Sequence, residues 1–164
     1  MIQIEHLKKT FPVPRQKKES PIQKLVQPRD KIHAVEDISF VCKPGRIFSL
    51  VGPNGAGKTT TLRIIATMLK PDSGNVTING YDAIKKGKTI RRQIGFLTGT
   101  TGLYERLTPD EILSYFARLY NLDMQAFKKR RADLFQLLGI KGYRNKKIGE
   151  LSSGMKQKVS ICRT

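Results

Sequence analysis

The sequence predicts an α/β fold, and three observations carry that prediction. Short runs rich in branched apolar residues recur through residues 1–97. A glycine-rich loop follows one of them and opens a helical pattern, and residues 103–150 keep helical spacing. With 164 residues, 38% of them hydrophobic and 27% charged, the chain is long enough for a core and too apolar for general disorder.

Taken in order, the alternation around Ile2 and Ile4 predicts a short strand with one buried face. Residues 11–31 then hold four prolines and many charges, which predicts an exposed, mobile insertion. Val35, Ile38 and Phe40 fit a strand over 32–42, Lys43-Pro44-Gly45 a turn, and 46–51 a compact apolar strand. A helix over 57–69 would bury Leu62, Ile65, Ala66 and Leu69 and stop before Pro71. Pro71-Asp72-Ser73-Gly74 reads as a turn, and Val76 and Ile78 mark a strand ending at Asn79-Gly80. A basic helix over 82–92 and a buried strand over 94–97 complete a first part, residues 1–102. Thr108-Pro109-Asp110-Glu111 is a capping box with proline at the first helical position, followed by the stripe Ile112, Leu113, Phe116 and Leu119. A second helix over 123–138 closes at Gly139, giving a helical part over 103–150 and a last segment over 151–164.

The formal charge of +18 sits in blocks of lysine and arginine. Such blocks suit a nucleic-acid or anionic-membrane surface, or simply a solvated exterior. None is interleaved with the aromatic platforms that single-stranded nucleic acid stacks on, so the solvated reading is preferred and no nucleic acid is expected. Cys42 and Cys162 follow no paired or metal-binding spacing and read as reduced thiols. Glu5, His6, Lys8 and Lys9 interrupt any apolar leader, so no signal peptide is expected, and no run approaches a membrane span.

Gly52-Pro53-Asn54-Gly55-Ala56-Gly57-Lys58-Thr59 matches the phosphate-loop pattern G-x-x-x-x-G-K-[ST] in full. At average composition, chance would supply it in roughly one chain in two hundred of this length. Its position after an apolar run and before a helix is the arrangement the chemistry requires. Gly52, Gly55 and Gly57 let main-chain N–H groups approach phosphate oxygens, and the dipole of the following helix favours an anion there. Lys58 would supply a point charge to the β- and γ-phosphates. The Thr59 hydroxyl would ligate Mg²⁺, and Thr60 would add a phosphate contact.

Leu151-Ser152-Ser153-Gly154-Met155-Lys156-Gln157-Lys158 is by itself only a small-residue turn capping a helix, with Ser152 or Ser153 as N-cap. Beside the phosphate loop, it resembles the L-S-G-G-Q signature of the ABC transporter ATPases. Ala34-Val35-Glu36-Asp37-Ile38-Ser39-Phe40, Leu69-Lys70-Pro71-Asp72-Ser73-Gly74 and Ile78-Asn79-Gly80-Tyr81-Asp82 extend the resemblance over nearly the whole chain. It implies a P-loop NTPase core with an N-terminal antiparallel β part and an inserted helical subdomain. It also implies ATP with Mg²⁺ as ligands, and a head-to-tail dimer in which the Ser152 hydroxyl, Ser153 and the Gly154 N–H face ATP bound to the other subunit. An integral membrane permease is the implied partner and the cytoplasmic membrane face the implied location. Phe11 falls where the family places an aromatic that stacks on adenine. Residues 43–50 and 97–104 look like the ATP-binding subunits of sodium-extruding bacterial exporters.

Three departures from the family pattern stand out. Ser153 and Met155 replace a glycine and a glutamine of the signature, and Gly99 stands where a glutamine usually reaches the metal. The sequence to Thr164 also does not reach the family's aspartate-glutamate pair and later histidine, so the catalytic glutamate is expected beyond it. The complete protein is expected to be an ATPase, and this stretch alone to bind nucleotide weakly and hydrolyse little or none. The alternatives are a non-catalytic ATP-binding fragment and a ribosome- or nucleic-acid-associated ATPase of the same family.

Overall fold

The computed structural model describes residues 1–13, 30–98 and 102–164. These fall into two compact units, Met1–Ile94 and Gly95–Thr164.

The first unit is organised by an antiparallel sheet. Strand β1 (Ile2–Pro12) pairs with β2 (Lys31–Cys42) on one side and with β3 (Ser73–Ile78) on the other. The short β4 (Tyr81–Asp82) adds to β3, so the order is β2-β1-β3-β4. Asn79 and Gly80 both take positive φ, 49° and 81°, as a two-residue hairpin turn between right-twisted strands demands. Helix α1 (Lys58–Ile65) places Ile64 against Ile4, Leu7, Val35, Val76 and Ile78, all nearly fully buried, and α2 (Gly87–Arg91) adds Ile90 to this core.

β1 is far longer than a two-residue alternation suggests, because a bulge lets it bend and continue. The register shifts between Ile4 and Leu7, and His6 sits there at φ 47° with its N–H donating to Ser39 Oγ at 2.8 Å. The displaced Glu5 and His6 carbonyls face Gly74, where a Cβ would lie 2.6 Å from the Glu5 oxygen. Asp72 then fastens the strand: its carboxylate accepts from Lys9 Nζ at 2.7 Å, Thr10 N at 2.6 Å and Thr10 Oγ1 at 2.7 Å.

The second unit holds α3 (Pro109–Leu119), α4 (Met124–Leu137) and α5 (Ser153–Arg163). Its core is Ile112, Leu113, Phe135, Ile140, Ile148, Leu151 and Val159. The capping box forms as expected, with Glu111 N donating to Thr108 Oγ1 at 3.2 Å and Thr108 N to Glu111 Oε2 at 2.8 Å. Asp123 caps α4, and Gly139 follows it at φ 67°. Arg131 ties α4 to α3 through Asp110 Oδ2 at 2.9 Å and Ser114 Oγ at 3.1 Å.

Several expectations are corrected. Residues 11–13 and 30–31 belong to the hairpin rather than to an insertion: Phe11 pairs with Ile32, Pro12 with Lys31, and Val13 N donates to the Asp30 carbonyl at 2.8 Å. The remainder of that segment lies outside the described residues. Residues 46–51 and 94–97 are not strands. Ile47 and Val51 are 98% and 93% exposed, and neither run has a ladder partner among the described residues, without which an apolar run cannot be a sheet strand. Helix α1 stops at Ile65 because Thr67 turns left-handed at φ 58°, four residues before Pro71. Its buried positions are Thr61 and Ile64, while Leu62 is exposed. In α3 likewise Ala117 is buried and Leu119 exposed. The basic helix over 82–92 shrinks to α2, since Asp82 instead accepts from the Ile84 and Lys85 N–H groups and forms a turn.

Candidate functional site

The phosphate loop runs between two fixed points. Behind it, Phe48 stacks on Phe40 of β2 with ring centroids 4.6 Å apart. Ahead of it, Gly57 caps α1 at φ 78°, pressed so closely on β2 that an added Cβ would run into the Ala34 carbonyl oxygen and lie 3.1 Å from Val35 Cγ2. Gly55 is also left-handed, at φ 87°, but in open space. Gly52 is not, so its glycine serves packing instead: a Cβ would sit 3.3 Å from that of Ala56. Within the loop, Ala56 N donates to the Pro53 carbonyl at 3.3 Å.

The helix end that this loop introduces is uncapped. Gly57 offers no side chain, the first turn has no acidic residue, and the first intrahelical bond is Thr61 N to the Gly57 carbonyl at 2.8 Å. The N–H groups of Lys58, Thr59 and Thr60 therefore have no partner among the described residues. Three unpaired donors at the positive end of a helix dipole make an anion site. A hollow of 210 Å³ lies over them, lined by Asn54 through Thr60.

Lys58 does something the motif alone did not show. Its ammonium donates to the Gly52 and Pro53 carbonyl oxygens, both at 2.6 Å. The lysine thus bridges the first residues of the loop to the start of the helix, and leaves the N–H groups uncovered. Residues 54–60 fit a bound triphosphate with its metal: free donors, a cation beside them, and the Thr59 hydroxyl on the first helical turn.

Phe11 is half-buried in β1, and Lys9 Nζ lies 5.5 Å from its ring centroid, so a cation already attends one face. Gly99 lies outside the described residues.

The second unit presents the other motif at a second helix N-terminus. Ser152 is the N-cap of α5, its Oγ accepting from Met155 N at 3.3 Å, and Ser152, Ser153 and Gly154 are all exposed. Leu151 anchors them from below at 5% exposure, while Met155 packs against the core of this unit, so its thioether is not presented to a ligand. Backbone bonds from Ile148 N to the Leu107 carbonyl (2.8 Å) and Gly149 N to the Glu105 carbonyl (2.9 Å) hold the approach to this turn. Cys162 lies at the far end of α5, and burial pushes its thiol up to about 11. Among the described residues there is no cluster of metal-ligating side chains, and no helix is long and apolar enough to cross a membrane.

The chain is similar to known proteins. The ABC transporter ATP-binding protein NatA of Bacillus subtilis is 44% identical over 133 residues, 80% of this chain and 54% of that protein. The doxorubicin resistance ATP-binding protein DrrA of Mycobacterium tuberculosis is 34% identical, over 81% of this chain and 40% of that protein. The chain therefore spans about half the length of the curated relatives it matches. Among solved structures, a dimeric ATP-binding cassette in a post-hydrolysis state, bound to ADP and phosphate, superposes with a TM-score of 0.76 at 26% identity. The match covers 99% of this chain and 68% of that one. The ATP-binding subunit of an ABC transporter superposes with a TM-score of 0.74 at 29% identity, over 99% and 60%. These neighbours are P-loop NTPase cassettes, of which the antiparallel sheet and helices seen here are a part. Residues 35–164 match the ABC transporter family as a whole, and the chain belongs to that family.

Proposed function

We propose that this chain is the nucleotide-holding part of the ATP-binding subunit of an ABC exporter. The complete protein would couple ATP binding and hydrolysis to a separate integral membrane permease at the cytoplasmic membrane face. The observation that supports this most is the uncapped start of α1 behind a complete phosphate-loop motif, with Lys58 beside it.

In this reading the N–H groups of Gly55, Gly57, Lys58, Thr59 and Thr60 donate to the phosphate chain of ATP, and Ala56, whose N–H is held by the Pro53 carbonyl, lines the site beside them. The Lys58 ammonium exchanges two neutral carbonyl acceptors for charged phosphate oxygens, the stronger partners. Thr59 holds Mg²⁺, which supplies charge neutralisation at the phosphates, and Thr60 adds a hydroxyl contact. Phe11 stacks on adenine with the face that Lys9 leaves free. Ser152, Ser153 and Gly154 act on the nucleotide of a second copy, head to tail, since they form an exposed helix N-terminus of the same anion-binding kind. Residues 1–102 would then be the ATP-binding part, 103–150 the helical subdomain and 151–164 the signature with its helix. Within residues 1–164 no carboxylate stands by motif to polarise water, so these residues alone would bind ATP weakly and hydrolyse little or none. The likeness of residues 43–50 and 97–104 to sodium-extruding exporters makes sodium the proposed cargo.

Titration with Mg-ATP tests the core of this. Lys58→Ala should weaken binding at least tenfold, since it removes a charge-assisted contact, while the melting temperature stays within a few degrees. Unchanged affinity in Lys58→Ala would remove the assigned role.

A further inference from the structure

At the end of α1 away from the phosphate loop lies a second, separate cavity of 290 Å³. Its floor is apolar, formed by Ile64 and Val76, which are 1% and 2% exposed. Its rim is cationic: Lys70, Lys85, Lys88 and Arg91, with no carboxylate among the lining residues. Lys85 has Asp82 as a distant partner at 3.8 Å, whereas Lys70 and Lys88 have no ion pair among the described residues. Four like charges around one concavity repel each other, and an anion settling between them relieves that repulsion.

The arginine is exposed, but one hydrogen bond orients it. Its Nη1 donates to Thr67 Oγ1 at 2.9 Å, and it lies over Gly87, where a Cβ would stand 3.1 Å from Nη1 and 3.5 Å from Thr67 Cβ. Thr67 reaches this position in the left-handed region, φ 58°, which is costly for a β-branched residue. Arg91 lines the cavity, and its guanidinium has further N–H donors of the kind that pair with a phosphate.

We propose that this cavity binds the phosphate headgroup of an anionic membrane lipid, with the phosphate among Lys70, Lys88 and Arg91 and the first apolar carbons of the lipid over Ile64 and Val76. A bare anion would leave the apolar floor uncovered, and an uncharged apolar ligand would desolvate the cations without pairing them. The volume is at the small end for ligand sites and suits a headgroup rather than a whole lipid. None of these residues belongs to the phosphate loop, so this proposal stands or falls apart from ATP binding.

The test is sedimentation of the full chain with vesicles of phosphatidylglycerol in phosphatidylcholine, against pure phosphatidylcholine. Two variants remove equal charge: Lys88→Gln with Arg91→Gln at the cavity, and Lys128→Gln with Lys129→Gln on α4. The cavity pair should lower binding to the anionic vesicles about tenfold and the α4 pair less than about twofold, with ATP affinity unchanged in both. Equal losses would overturn the proposal in favour of diffuse charge, and no loss in the cavity pair would overturn it outright. Soluble glycerol phosphate should compete poorly, because it lacks the apolar part. Full competition at millimolar concentration would give the site to a free phosphate ester and overturn the lipid.

Discussion

Gly57→Ala isolates what the phosphate loop owes to its backbone, because it changes no charge and no donor. The new methyl group meets two costs. The first is conformational: φ 78° is left-handed, and a residue with a Cβ pays about 1–2 kcal/mol to adopt it. The second is steric, since the Cβ would overlap the Ala34 carbonyl oxygen of β2, and backbone cannot swing aside as a side chain can. The start of α1 must retreat from β2 by more than about 1 Å before that pair reaches ordinary contact. A displacement of that size spoils the convergence of the Lys58, Thr59 and Thr60 N–H groups, and hydrogen bonds weaken steeply as distance and angle leave the ordinary range. Gly55→Ala is the internal control. It carries the same left-handed cost at φ 87° but meets nothing within 4 Å. Gly52→Ala carries neither cost in full, with only a 3.3 Å methyl contact. Equilibrium binding of a fluorescent ATP analogue should therefore weaken in the order Gly57→Ala, Gly55→Ala, Gly52→Ala, with Gly57→Ala also lowering the melting temperature by about 2–8 °C. If Gly57→Ala bound as well as Gly52→Ala, the loop would not depend on its close approach to β2.

Two further outcomes follow from titrating groups. The Lys9 ammonium, then the Thr10 hydroxyl and N–H, hold Asp72 well below the usual carboxylate range, so this pairing stabilises the fold above the unfolded value near 4 and loses that contribution as pH falls below it. Because the carboxylate is 40% exposed, screening limits the effect, and Asp72→Asn should cost about 1 kcal/mol in urea unfolding at neutral pH. That cost should shrink toward zero in acid, and a pH-independent difference would refute it. Cys162, pushed up to about 11 by burial, should react with iodoacetamide roughly two orders of magnitude more slowly than free cysteine near neutral pH, and normally once unfolded. A rate within a few-fold of free cysteine in the folded chain would contradict its burial.

The parts legible in the sequence are those whose signal closes within a few residues. Thr108 and Glu111 satisfy each other's N–H groups three residues apart, Asp123 and Ser152 cap the helices they precede, and Asn79-Gly80 supplies both positive φ values of its hairpin. None of these needs a distant partner. Where the outcome depends on a partner, composition misleads. The apolar run 46–51 reads as a strand, yet a strand exists only against a neighbouring ladder, and Ile47 and Val51 stand exposed. The bulge at His6 and the anchoring of β1 by Asp72 are long-range events, 63 residues apart for Lys9 and Asp72, and left no local mark. The same holds at the site. The loop and its helix could be placed from eight residues, but the bridge from Lys58 to the Gly52 and Pro53 carbonyls, and the closeness of Gly57 to Ala34, required coordinates.

In the proposed function, unpaired main-chain donors at the start of α1 receive the phosphate chain. Amide chemical shifts recorded during titration with Mg-ATP and, separately, with adenosine address it directly. The largest changes should fall on Gly55, Gly57, Lys58, Thr59 and Thr60, with ATP and not with adenosine. Amides there that stay put under saturating ATP, or that move equally with adenosine, would contradict it.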